Sequence, residues 1–119
     1  MKLLEYYETS VIIHLINDYL MKTTTRLKPE LICKDGFSMS VQASETHYCD
    51  PRQNEGPWCE VEVGYPSAEE PLLFQYAETQ GEWTKTVYPY TPIHVLAQVV
   101  ERHGGIDWDL MKIREIHDE

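Results

Sequence analysis

The stretch Phe37-Ser38-Met39-Ser40-Val41-Gln42-Ala43 alternates apolar with small polar residues, and a period of two gives a strand one buried face. Cys59 to Tyr65 repeats the pattern, with Cys59, Val61, Val63 and Tyr65 on one face and Glu60 and Glu62 on the other. Between them, Ser44 to Trp58 holds Asp50, Pro51, Asn54, Gly56 and Pro57, a density of turn formers that reads as a long loop. The two strands are expected to pair antiparallel across that loop, and their apolar face requires a cover.

The cover comes from both ends of the chain. Leu4, Val11, Ile12, Leu15, Ile16, Tyr19 and Leu20 recur at helical spacings over Lys2 to about Lys22, and Thr23 to Thr25 then weaken the helix. Late in the chain, Thr91 as N-cap and Pro92 at the first helical position introduce Ile93, Leu96, Val99 and Val100, again at helical spacing. His103-Gly104-Gly105 ends that second helix, with glycine supplying the left-handed cap. Leu31 to Cys33, bracketed by Pro29 and the Lys34-Asp35-Gly36 turn, reads as an edge strand, and Leu72 to Ala77 and Trp83 to Tyr90 as further strands around a turn at Thr79 to Gly81. Ile106 to Glu119 suggests a short helix with a frayed end. The fold class expected is α+β, a small antiparallel sheet with an N-terminal and a C-terminal helix packed on one face, and 1-119 is one compact acidic domain.

Charge narrows the partners. The chain has 119 residues, ten Lys and Arg against twenty Asp and Glu, and a net charge of -10. That sign opposes direct binding to a phosphate backbone. The acids are uneven: residues 1–60 carry six basic and nine acidic side chains, and 61–119 carry four and eleven, giving -3 and -7. Glu60, Glu62, Glu69 and Glu70, with Glu78, Glu82 and Glu101, are expected to form an exposed field that draws in a basic protein groove, and Trp58 to stand beside it as an aromatic anchor. A solvated surface that only keeps the protein soluble explains the same charges. No apolar run approaches a membrane span, and Glu5 and Glu8 interrupt the early apolar stretch, which points to the cytoplasm.

His47, Cys49 and Cys59 are the chemical candidates. They occupy both lips of the loop, and zinc favours thiolate and imidazole ligands in a closed tetrahedron. The fourth ligand is open among His94, Asp50, water and Cys33. Cys33 is disfavoured, because the Lys34 to Gly36 turn lies at the far end of the strand, several residues away at about 3.3 Å each. Such a zinc is structural and pins a loop whose length is otherwise hard to hold. Plain burial of the two cysteines, with His47 on the surface, is the competing reading, and an oxidised Cys49 to Cys59 pair a third. The deaminase pattern, His-Glu-x-x-His and phosphate-binding glycine motifs do not occur. A Cys49 nucleophile with His47 as base lacks a supporting third group, so the chain reads as a binding protein and not an enzyme.

Four segments carry a resemblance: Ser40-Val-Gln-Ala-Ser-Glu-Thr-His-Tyr-Cys-Asp-Pro-Arg52, the following Val61-Glu-Val-Gly-Tyr-Pro-Ser67, and the late Val87-Tyr-Pro-Tyr-Thr-Pro92 with His103-Gly-Gly-Ile106. They are spread over residues 40–106, about half the chain, and resemble small proteins encoded by phages and prophages of Firmicutes, among which type II-A anti-CRISPR proteins occur. The resemblance implies a phage-encoded inhibitor in the host bacterial cytoplasm. It would bind the type II CRISPR nuclease through its acidic surface and block nucleic-acid loading or cleavage. A sponge for a nucleotide immune signal, using Arg52 or Arg102, and an accessory protein of the phage are the alternatives.

Overall fold

The computed structural model describes residues 2–22 and 30–111, with 2–8 as backbone only. Helix α1 (Lys2–Lys22) leads to strands β1 (Leu31–Ile32), β2 (Ser38–Gln42) and β3 (Glu60–Gly64). A 3-10 helix (Pro71–Tyr76), strand β4 (Val87–Pro92) and helix α2 (Ile93–Arg102) follow, and residues 108–111 make one more helical turn. The four strands form one antiparallel sheet in chain order.

The alternation read in β2 and β3 sets the sheet's faces. Leu31 opposes Met39, Val41 opposes Val63, and Val63 opposes Tyr88, all buried on one side. Helix α2 adds Ile93, Leu96, Val99 and Val100 to this side. Helix α1 packs against α2, and its Ile16 and Leu20 complete the same core. The outer face carries Ser38 and Ser40 of β2 and Glu60 and Glu62 of β3. The architecture is therefore the expected α+β arrangement, with helices over one face of a small antiparallel sheet.

The C-terminal end of α2 is as expected. Gly105 N–H donates to Val100 O at 2.9 Å and Gly104 N–H to Glu101 O at 3.1 Å, with Gly104 at φ 89°; a left-handed residue lets both bonds form at once. Beyond it the chain returns to the edge of the sheet. Cys33 bridges Ile106, Lys34 N–H donates to Gly105 O, and Asp107 N–H donates to Ile32 O.

Four expectations are corrected. Leu72 to Ala77 is not a strand: Glu70 accepts the Leu72 N–H through its side chain, Pro71 opens the turn, and the segment closes as a 3-10 helix. Trp83 to Tyr90 becomes a strand only from Val87, because Glu82 and Lys85 are still in turns that bond back to Thr79 and Glu82. Thr91 does not cap α2, since its backbone still pairs with Val61 in the ladder and its hydroxyl donates to Tyr88 O; Pro92 is the cap position. Cys59 and Tyr65 leave the inner face because each lies just outside β3, where the alternation ceases to hold; both are exposed. On α1, Ile16 and Leu20 face the core whereas Val11 and Leu15 are exposed, so the buried stripe is narrower than the apolar pattern. The helix stop at Thr23 to Thr25 and the tail after Met111 lie outside the described residues.

Candidate functional site

The loop from Ser44 to Trp58 is organised by the side chain at its end. Trp58 is buried to 2% exposure; its indole N–H donates to Gln53 O at 3.2 Å, and Gly56 lies against its ring so closely that a Cβ there would sit 2.8 Å from Cε3. Asn17 of α1 receives the Trp58 N–H and donates to the Trp58 carbonyl. At the loop's base Asp50 and Glu60 exchange backbone hydrogen bonds of 3.0 and 3.2 Å, and Cys59 N–H also donates to Asp50 O. An aromatic plug and a short ladder hold a turn-rich segment that has few other apolar anchors. Trp58 as a surface anchor is thereby corrected: once its ring fills the loop it has no area left to offer a partner.

The three metal candidates sit around this base. His47 Nδ1 is hydrogen-bonded to Ser44 Oγ at 2.6 Å, while the buried Cys49 donates to Ser44 O at 3.2 Å. Cys59 Sγ lies 3.1 Å from Asp50 Oδ2. Burial raises the pKa of the Cys49 thiol, and the hydrogen bond to Asp50 does so for Cys59, since a carboxylate favours the proton-bearing sulfur. All three cysteines are free, and among the described residues no group of three or more His, Cys, Asp or Glu side chains is arranged to hold a metal. Cys33 is buried beside the Lys34 turn, away from the loop, and burial, aided by the Asp35 charge, pushes its pKa up to about 12. His94 is exposed at the start of α2.

The acidic candidates divide. Glu60 and Glu62 are half-buried on the outer face and Glu69 is exposed. Glu70 is not part of the surface: it is 2% exposed. One of its oxygens accepts the Leu72 N–H, while the other meets His103 Nε2 at 2.9 Å and Arg102 Nε at 3.7 Å. A buried carboxylate needs such partners. The opposite ring nitrogen of His103 lies 2.6 Å from Asp35 Oδ2, and Phe37 stacks on the ring at 4.1 Å. Each imidazole nitrogen thus faces a carboxylate. The Phe37 N–H, and after it His103, hold the Asp35 carboxyl below its ordinary value. This triad ties the turn after β1 to the 3-10 helix and to the end of α2.

A different pair occupies the surface. Tyr48 and Tyr90 are each 43% exposed, and their rings lie 5.8 Å apart. Tyr48 N–H donates to Glu62 Oε1 at 3.2 Å, and Tyr90 N–H donates to Tyr48 O at 3.1 Å. Tyr90 stands in a bulge, where β4 spends one extra residue between the Val61 and Val63 pairings, and its φ is 51°. A left-handed backbone costs a non-glycine residue on the order of 1–2 kcal/mol. The Arg52 guanidinium lies 5.5 Å from the Tyr48 ring centre. Sequence reading had no means of pairing Tyr48 with Tyr90, because the bulge that turns Tyr90 outward leaves no local signature.

A cavity of about 190 Å³ elsewhere is lined by Glu69, Gly81, Glu82, Trp83, Thr84 and Lys85. It is smaller than the roughly 300 Å³ at which small-molecule sites begin, and two carboxylates against one ammonium suit a phosphorylated ligand poorly. No helix among the described residues is long and apolar enough to cross a membrane. No family model, curated protein or solved structure matches the chain.

Proposed function

We propose that the protein works by binding, with no reaction of its own, and that its target is a basic surface on a protein partner. The observation that carries this reading is the exposed Tyr48 and Tyr90 pair set beside Glu62 on the outer face of the sheet. Amphipathic aromatics of this kind anchor interfaces, and a net charge of -10 speeds encounter with a basic surface. The resemblance makes a type II CRISPR nuclease the partner to test, with the protein acting in the cytoplasm of a phage-infected bacterium as a stoichiometric block on nucleic-acid loading or cleavage.

Competition binding with purified nuclease is the test. Target-DNA loading and cleavage should fall as the protein approaches one equivalent; both remaining unchanged at excess would overturn the nuclease as partner. A structural zinc at His47, Cys49 and Cys59 belongs to the same proposal, supported by two free thiols at the two lips of one loop. Elemental analysis of untagged protein tests it: near one zinc per chain, lost in His47→Ala and Cys59→Ser, is the expected result, and none in the parent protein removes zinc from the account.

A further inference from the structure

We propose that the Tyr48 and Tyr90 pair is a seat for an arginine side chain of the partner, and that Arg52 fills part of that seat in the free protein. The proposal rests on the protein-binding reading above and specifies its chemistry. Four observations support it.

The first is that a guanidinium is already present. Arg52 sits 5.5 Å from the Tyr48 ring centre, inside the distance at which a cation is drawn to an aromatic face. Arg52 is itself exposed, so its hold is weak and can be exchanged for an equivalent group from outside. The second is the shape: the rings of Tyr48 and Tyr90 are tilted by 50° at 5.8 Å, giving two aromatic walls at an angle. A planar guanidinium can lie against one wall while its edge hydrogens reach a carboxylate, which a compact, strongly hydrated ammonium does less well.

The third is the surrounding charge. Glu62 accepts the Tyr48 N–H directly, Glu60 precedes it by one pleat on the same outer face, and Glu45, Asp50 and Glu55 lie in the loop that carries Tyr48. Residues 44–64 thus hold five carboxylates against the one arginine, a net negative charge that favours a second cation. The fourth is the cost of Tyr90 itself. Its backbone is left-handed and its side chain is 43% exposed, so conformational preference opposes tyrosine there and burial favours it only in part; asparagine would suit the backbone better. A displayed aromatic on a strained bulge fits a contact made with something outside the chain.

The experiment titrates the full chain with nona-arginine and nona-lysine peptides by calorimetry at 0.15 M salt, a condition that weakens contacts made by charge alone. Arginine peptide should bind about threefold to tenfold tighter than lysine peptide, as a cation seated on aromatic faces predicts. Tyr48→Ala and Tyr90→Asn should each bring that ratio close to one. Tyr90→Asn relieves the backbone and keeps the fold intact, so its loss of preference cannot be ascribed to unfolding. Tyr65→Ala should leave the ratio unchanged, because Tyr65, at 58% exposure and also at positive φ, lies past the end of β3 with its N–H on Thr86 O and takes no part in the Tyr48 and Tyr90 pair. Arg52→Ala should tighten arginine-peptide binding about twofold by vacating the seat. Equal affinity of the two peptides for the parent protein, or a preference that survives Tyr90→Asn, would overturn the seat. If the arginine preference holds but the nuclease is not bound, the seat stands and the nuclease is the wrong partner. If the nuclease is bound as tightly by the Tyr48→Ala and Tyr90→Asn proteins, the seat falls and the partner stands.

Discussion

Asn17 grips Trp58 by both of that residue's backbone polar groups: its Oδ1 accepts the Trp58 N–H at 2.7 Å and its Nδ2 donates to the Trp58 carbonyl at 3.3 Å. Both residues are buried, so the two bonds replace water that cannot reach them. The side-chain amide serves here as a single rung of sheet, joining a helix to the end of a loop. Asn17→Leu leaves a buried N–H and a buried C=O without partners at about 1–3 kcal/mol each, and we expect a total loss of about 2–6 kcal/mol in urea unfolding. Protease cleavage should then appear within Ser44 to Trp58 before the rest of the chain is attacked.

Gly56→Ala tests the seating of the same ring. The new Cβ would meet Trp58 Cε3 at 2.8 Å and Cζ3 at 2.9 Å, and the indole can yield only by losing its bond to Gln53 O. Overpacking of this kind costs about 1–3 kcal/mol. Tryptophan fluorescence should shift to the red in the folded variant, and an unchanged spectrum with unchanged stability would show the ring to be less confined.

Asp35, held by the Phe37 N–H and by His103, gives the protein an acid limb. Because the folded state holds the Asp35 carboxyl below the ordinary value of 3.8, its stabilising effect is fully present above that pH and is lost as pH falls through the lowered value. Asp35→Asn should therefore be less stable than the parent protein at neutral pH. The two denaturation midpoints should converge below about pH 3.8. A gap that stays constant with pH would mean that the charge of Asp35 contributes nothing.

Thiol chemistry should rank the cysteines. Cys33 and Cys49 are buried and Cys59 is exposed, so iodoacetamide at neutral pH should label Cys59 of the metal-free protein first, slowly because Asp50 disfavours its thiolate. Cys33 should react only on unfolding. Its pKa, raised from 9.0 to about 12, contributes stability that is complete below pH 9.0 and declines as pH rises from there toward 12, because the unfolded thiol ionises first. Cys33→Ala should flatten that alkaline decline.

What the sequence disclosed followed the range of its signals. The alternation in Phe37 to Ala43 and Cys59 to Tyr65 located β2 and β3 and their pairing, and His103-Gly104-Gly105 located the end of α2, because each depends on neighbours a few residues away. The strand expected at Leu72 to Ala77 failed on a cap: Glu70 and Pro71 start a 3-10 helix that apolar content alone does not distinguish from a strand. Trp58 and Glu70 looked like surface residues because their partners lie far along the chain, Asn17 at 41 residues and His103 at 33. Lys34-Asp35-Gly36 and His103-Gly104 were both legible as turns, yet the bond joining Asp35 to His103 spans 68 residues and leaves no local trace.

The two margins of the sheet bear on how anything can attach to it. Along β1, residues 105–107 already use the backbone groups of Ile32 and Lys34. Along β4, Pro89 and Pro92 have no N–H to give, the bulge at Tyr90 breaks the regular spacing, and Glu78 takes the carbonyl of Val87. Neither border offers the row of free amides and carbonyls on which another chain could lengthen the sheet. This discourages the molecules from zipping into fibres, and it leaves side chains, not strand edges, as the surface open to contact.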